Sequence, residues 1–273
     1  MLRLVVLALA LVALGCTPAR RPPMRFDHPK GRATTPLVVY IHGGGWNAGD
    51  KLSDGYYQLV RAQLLAQGVA VASIDYRLAP KNRFPAQIAD VTYAVRYLRA
   101  NAKKLRIDPD RIAAFGTSAG GHLASLLGTI DKSAGFDVGA LTNVSSRVKA
   151  VVDIVGPGDL TDPAFPPVTD SGIQAAFGVP GGTAGDTTLA KASPVAYISP
   201  DDPPFLIVHG TRDELVPFSQ SVSFTQRLKA AGVRAELVQV TGGSHALTTP
   251  GQSIPPAQIS NLISTFLLSE LRR

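Results

Sequence analysis

From residue 37 to the C-terminus, short runs rich in Val, Ile, Ala and Phe alternate with longer segments whose apolar residues recur every three to four positions. Few folds suit such a chain. Strands buried on both faces, each followed by a helix that crosses back over the sheet, form a mostly parallel α/β sheet flanked by helices on both faces. The pattern predicts strands over 37–41, 70–75, 111–116, 148–155, 205–209 and 235–240, and helices over 57–66, 86–105, 119–129, 219–231 and 256–271. Pro85 suits a first helical turn, and Gly232 a C-terminal cap. Residues 156–193 break the alternation, being rich in Pro, Gly, Thr and Asp with one apolar stretch at 173–177. A loop of that length in a compact domain is usually functional, so it is read as a lid or pocket wall. No repeat and no second domain is visible, and one α/β core accommodates 273 residues.

The first 36 residues read differently. Leu4 to Leu14 are eleven consecutive apolar residues behind Arg3. That is too short for a helix to cross about 30 Å of hydrocarbon and suits the apolar core of a signal peptide, assigned to residues 1–15. Ala13-Leu14-Gly15-Cys16 resembles a bacterial lipobox, with Ala13 where that pattern prefers Leu, so Cys16 is the expected lipid anchor. The competing reading is an ordinary cleaved signal with Cys16 removed or incidental. Residues 16–36, rich in Pro and carrying Arg20, Arg21, Arg25, Lys30 and Arg32, are expected to be a tether that also touches anionic headgroups. The mature protein is then exported to the bacterial cell envelope, held at the membrane by its lipid, or else periplasmic or secreted.

Composition removes several functions. Cys16 is the only cysteine, which excludes a disulfide framework and a thiolate zinc cage, and no constellation suggests a metal or cofactor. The net charge of +7 contains no run of five like charges and no nucleic-acid-binding motif, so its bias is toward membranes or cell-wall polymers.

Two motifs carry chemistry. Gly116-Thr117-Ser118-Ala119-Gly120 follows an expected strand and opens an expected helix, the context of a G-x-S-x-G nucleophile elbow. A serine on so tight a turn needs glycine two positions away on either side. His42-Gly43-Gly44-Gly45-Trp46 ends the first expected strand, and His followed by three glycines recurs by chance in roughly one chain in several hundred. Backbone amides of Gly44 and Gly45, with that of Ala119 after the nucleophile, are the expected oxyanion-hole donors. Trp46 either lines the pocket, contacting substrate, or packs.

A nucleophilic serine needs a base and an orienting acid. His28 lies in the tether, His42 in the glycine turn, His122 on the elbow helix and His209 inside a strand, which leaves His245, after Gly242-Gly243-Ser244. His122 and His209 are read as satisfied structural histidines. Asp213 follows the strand at 205–209 on the edge where parallel sheets place ligands, and Glu214 is the alternative acid.

Taken with Asp75-Tyr76-Arg77-Leu78-Ala79-Pro80, Gly121-His122, Asp201-Asp202-Pro203-Pro204 and His209-Gly210-Thr211-Arg212-Asp213, these motifs resemble the α/β-hydrolase superfamily. Within it the chain is most similar to hormone-sensitive-lipase-like carboxylesterases, especially the feruloyl and acetyl-xylan esterase branch, over residues 37–273. The resemblance implies an α/β-hydrolase fold and a Ser118-Asp213-His245 triad. The implied activity is on short-chain acyl or feruloyl-type esters, small or polysaccharide-linked, with Asp75 and Tyr76 bracing the oxyanion loop unless they simply form a strand-end turn. Thr117 stands where that group often has Asp. The sequence before residue 37 is expected to be too short for antiparallel edge strands or a large cap, which implies an open site. An amide-directed hydrolase such as an arylformamidase shares these motifs, and a non-catalytic surface binding module on the same scaffold is the remaining alternative.

Overall fold

A computed structural model of the chain describes residues 20–52, 55–165 and 167–273. The expected signal peptide, Cys16 and the first residues of the tether lie outside the described residues. In chain order the elements are β1 (Met24–Asp27), β2 (Thr35–Ile41), α1 (Gly55–Ala66), β3 (Ala70–Ile74), α2 (Ala86–Ala100), α3 (Ala102–Leu105), β4 (Ile107–Thr117), α4 (Ala119–Thr129), β5 (Val151–Ile154), α5 (Pro167–Phe177), α6 (Thr187–Ala192), β6 (Phe205–Gly210), α7 (Phe218–Ala230), β7 (Ala235–Val240) and α8 (Pro256–Arg272). Seven strands form one sheet in the order β1-β3-β2-β4-β5-β6-β7, parallel throughout except at β1.

The two-residue period of a strand explains the layers. Leu37, Val39 and Ile41 of β2 face one way, into a core shared with α2, α4 and α7. Val38 and Tyr40 face the other, into a core shared with α1 and α8. Both sides are buried, so β2 is apolar at nearly every position. Complete burial of each such aliphatic side chain stabilises the fold by about 1.5–3 kcal/mol.

Three expectations need correction. Residues 24–27, assigned to the tether, form an antiparallel edge strand, with Met24 paired to Ile74 and Asp27 to Val71. Its fastening is ionic as well as apolar. Arg61 on α1 grips both oxygens of Asp27 at 2.7 Å, Arg25 adds a third contact at 2.8 Å, and these bonds hold the Asp27 carboxyl down at about 2. The helix expected over 86–105 is broken at Asn101, and Arg106 turns left-handed at φ 57° to feed β4. The segment 156–193 contains α5 and α6. Asp186 caps α6, its side chain accepting the amides of Thr188 and Leu189.

Candidate active site

β4 ends at Thr117 and α4 begins at Ala119, so Ser118 alone makes the turn, at φ 56° and ψ −120°. Such a backbone is costly for any residue with a side chain and persists only where its surroundings enforce it. Here they do: the Ser118 amide donates to Ile154 O on β5 at 2.7 Å, and Ser118 O accepts from the His122 amide at 2.9 Å. The flanking glycines allow the approach. A Cβ on Gly116 would overlap the Gly120 carbonyl, and one on Gly120 would overlap the carbonyl of Ile41 at the end of β2.

The loop after β6 carries Asp213, and the loop after β7 carries His245. Their backbones are tied together: Arg212 N donates to Gly243 O at 2.9 Å, and Gly242 N donates to the Thr211 hydroxyl at 2.9 Å. The result is a continuous chain of contacts, with His245 Nε2 2.8 Å from Ser118 Oγ and His245 Nδ1 2.8 Å from Asp213 Oδ2. The other carboxylate oxygen, Oδ1, accepts the amides of Leu215 and Val216 at 2.9 and 2.8 Å. Glu214, the alternative acid, is engaged differently, accepting the backbone amide of His245 at 3.2 Å. Burial would push the Asp213 carboxyl up, but hydrogen bonds from His209 and His245 outweigh it and hold the carboxyl well below the usual range. Asp213 is thus an anion set to orient an imidazole and to balance its positive charge.

The glycine turn lies against the elbow. A Cβ on Gly43 would come within 3.5 Å of Ser118 Cβ, so the backbone passes directly beside Ser118. Gly44 and Gly45 take φ 106° and 57°, and Ala119, first residue of α4, has an amide with no carbonyl four residues back in its own helix. Of the two residues expected to brace this turn, Tyr76 contacts it directly, whereas Asp75 holds Lys51, which lies beyond it. Tyr76 stacks on His42 at 4.2 Å between ring centroids and donates its hydroxyl to His42 O at 3.1 Å, while Asp75 accepts the Lys51 amide at 2.8 Å and the Lys51 ammonium at 2.6 Å.

Trp46 lines the cleft wall but is only 3% exposed. Its indole N–H donates to His122 Nδ1 at 3.2 Å, and its ring meets Phe177 of α5 edge-on at 5.1 Å. It therefore mainly packs, leaving most of the wall facing substrate to its neighbours. His122 in turn donates from Nε2 to Ala192 O at 2.8 Å. Full burial pushes its pKa down to about 4, so the ring is neutral and joins the glycine turn, the elbow helix and the end of α6.

The cleft above Ser118 and His245 has a volume of about 860 Å³. Leu59 of α1, Pro157, Ser171 and Gly172 of α5, Leu215 and Val216 are among its lining residues. Pro157, Ser171 and Gly172 make segment 156–193 part of the pocket wall, one of the two readings its length suggests, although the sequence pattern does not show its two helices. The same is true of His209: its placement on Asp213, at 3.0 Å, has no signal in sequence beyond the four-residue spacing.

The elbow, the glycine turn and the converging histidine and aspartate are carried on a scaffold whose residues 26–228 match the BD-FAE family. The chain belongs to the BD-FAE family. Its similarity to known members of the wider group is broad. Esterase LipC of Mycobacterium tuberculosis is 35% identical over 219 residues, covering 77% of this chain and 52% of LipC. Among solved structures, a truncated carbohydrate esterase from gut microbiota superposes with a TM-score of 0.72 at 27% identity, over 92% of this chain and 91% of its own. An acetyl ester-xyloside bifunctional hydrolase from Caldicellulosiruptor lactoaceticus gives a TM-score of 0.73 at 27% identity, over 90% and 87%. The mostly parallel sheet of this BD-FAE chain is that of α/β-hydrolase esterases. The chain spans about half the length of LipC and of the related LipM and LipQ.

Proposed function

We propose that the protein is a carboxylic ester hydrolase acting on short-chain acyl or feruloyl-type esters, free or linked to a polysaccharide. The observation that carries this reading is the chain Ser118 Oγ–His245 Nε2 and His245 Nδ1–Asp213 Oδ2, both links 2.8 Å, at the floor of an apolar cleft beside a glycine turn. Ser118 Oγ attacks the ester carbonyl carbon while its proton passes to His245 Nε2, and Asp213 stabilises the imidazolium. The carbonyl electrons move to an oxyanion that accepts from the amides of Gly44, Gly45 and Ala119. Collapse expels the alcohol, which takes the proton from Nε2 and leaves an acyl-serine. Water then enters, gives its proton to Nε2 and releases the acid, returning the proton to Ser118. LipC is an esterase by name and the two structural relatives are named for carbohydrate and acetyl esters, which supports this substrate class here.

The test is a panel of acetyl, butyryl, octanoyl and feruloyl esters with a formyl-anilide as the amide control. Turnover of acetyl, butyryl or feruloyl esters at least tenfold faster in kcat/KM than octanoyl and formyl-anilide is the expected result. Preference for the formyl-anilide would replace the ester reading with an amide-directed one, and preference for octanoyl would contradict the substrate class.

Residues 1–15 enter the same proposal as an export signal, with a lipid on Cys16. One structural fact supports a role for the segment after Cys16 near the site: the described chain enters at the C-terminal edge of β3, where Asp75 N donates to Pro23 O, next to Tyr76, which holds the glycine turn. In a bacterial host, Cys16→Ser is expected to move the protein from the membrane fraction to the soluble fraction. An unchanged distribution would contradict lipid anchoring.

A further inference from the structure

The catalytic reading above uses one histidine on Asp213, yet the carboxylate is held by two. His209, on β6, has a fully buried side chain, and its Nε2 lies 3.0 Å from Asp213 Oδ2, the same oxygen that meets His245 Nδ1 at 2.8 Å. Its other nitrogen, Nδ1, is 2.6 Å from Ser221 Oγ on α7, and Nε2 is also 3.0 Å from Val216 O. Partner chemistry fixes the tautomer. A carbonyl and a carboxylate can only accept, so Nε2 carries the hydrogen and Nδ1 accepts from the Ser221 hydroxyl. Phe218 meets the ring edge-on at 5.7 Å and restrains it from the side.

We propose that His209 is a positioning residue for hydrolysis: a second histidine that fixes the Asp213 carboxylate from its buried side and sets how strongly Asp213 holds His245. This rests on the reading of Ser118, His245 and Asp213 as the reacting chain. Asp213 then has four donors: His245 Nδ1 and His209 Nε2 on Oδ2, and the amides of Leu215 and Val216 on Oδ1. With both oxygens anchored, the carboxylate plane has little freedom to rotate, and His245, 14% exposed in its side chain, inherits its orientation from that plane. A donor on Oδ2 also draws charge density from the oxygen that must stabilise the imidazolium, so its removal strengthens the hold on the protonated ring. Three other titratable groups lie around this pair, and α7 meets it only through Ser221 and Phe218. Asp153 on β5 is buried, with its carboxyl pushed up by that burial, Glu214 sits in the Asp213 loop, and His245 comes from the loop after β7.

The experiment compares His209→Leu, His209→Gln and Ser221→Ala, following kcat and KM on p-nitrophenyl acetate between pH 5 and 9 together with thermal stability. His209→Leu removes the donor and is expected to lower kcat about tenfold or more with KM little changed, the loss of one charge-assisted hydrogen bond that acts on orientation. The acid limb of its kcat/KM profile should move up by about half a pH unit. His209→Gln can return an amide N–H to the position of Nε2 and should recover most of kcat and the original limb. Ser221→Ala, which touches only the far nitrogen, should shift the limb in the same direction by less. If the Leu variant fails to fold, the contrast between Gln and Ser221→Ala decides. Wild-type kcat and profile in His209→Leu would overturn the proposal, as would equal losses in the Leu and Gln variants with an unmoved limb, the signature of packing alone. Turnover within tenfold of wild type in Ser118→Ala would be a distinct failure, removing the reacting chain itself.

Discussion

Replacing Ser118 with alanine is expected to lower kcat/KM on a short p-nitrophenyl ester by a factor on the order of 10⁴–10⁶ while leaving the unfolding midpoint nearly unchanged. The size follows from position. Ser118 Oγ is the hydroxyl that meets His245 Nε2 in the cleft, so its loss leaves the imidazole with no nucleophile to activate. The fold should not notice. The backbone bonds that hold the turn, from Ser118 N to Ile154 O and from His122 N to Ser118 O, do not involve the side chain. A small residual rate is expected, because the substitution leaves the oxyanion donors proposed at Gly44, Gly45 and Ala119 in place. Asp213→Asn should fall by about 10⁴, since an amide in place of the carboxylate presents a donor toward His245 Nδ1 and favours the wrong tautomer. Turnover within tenfold of wild type in Ser118→Ala would contradict the assignment.

Gly120→Ala should produce the largest structural effect of any single methyl group in the site. Gly120 is helical, so the added Cβ costs nothing in backbone conformation, but it would overlap Ile41 O and crowd His42 O at the end of β2. Neither oxygen can step aside, because both belong to the strand end that carries the glycine turn. The expected outcome is destabilisation by about 3 kcal/mol or more in urea denaturation, with loss of activity in whatever remains folded because α4 and the glycine turn are driven apart. Gly135→Ala is the control. Its φ of 77° strains an alanine, yet nothing lies within 4 Å of the new Cβ, so about 1 kcal/mol is expected. Equal stability of Gly120→Ala and wild type would show that the contact between elbow and glycine turn is looser than described.

Much of this was legible in the sequence because the same residues serve two constraints at once. The glycines around Ser118 are demanded by backbone contacts, and those contacts bring the elbow to the glycine turn, so the motif encodes both local shape and long-range placement. The strand end brings both Asp213 and Glu214 to the site in sequence terms, and the contacts separate them: Asp213 meets the imidazole and Glu214 the backbone amide of His245. The misses share a cause. In β1, Met24 and Phe26 alternate with Arg25 and Asp27, a four-residue signal hidden in a Pro- and Arg-rich stretch, and the partner that stabilises it, Arg61, lies 34 residues away. The break at Asn101 and the left-handed Arg106 follow from where β4 must start to pair Ile107 with Thr35, information that no local pattern holds. His209 reads as one more apolar-strand residue until the turn after β6 folds Asp213 back onto it.

The most direct test of the central claim is to treat the protein with a fluorophosphonate and map the adduct by peptide mass spectrometry. One stoichiometric adduct is expected, on the peptide containing Ser118, absent in Ser118→Ala and forming far more slowly in Asp213→Asn. An adduct on another serine of the cleft, such as Ser171, or full ester turnover in a protein that takes up no label, would contradict it.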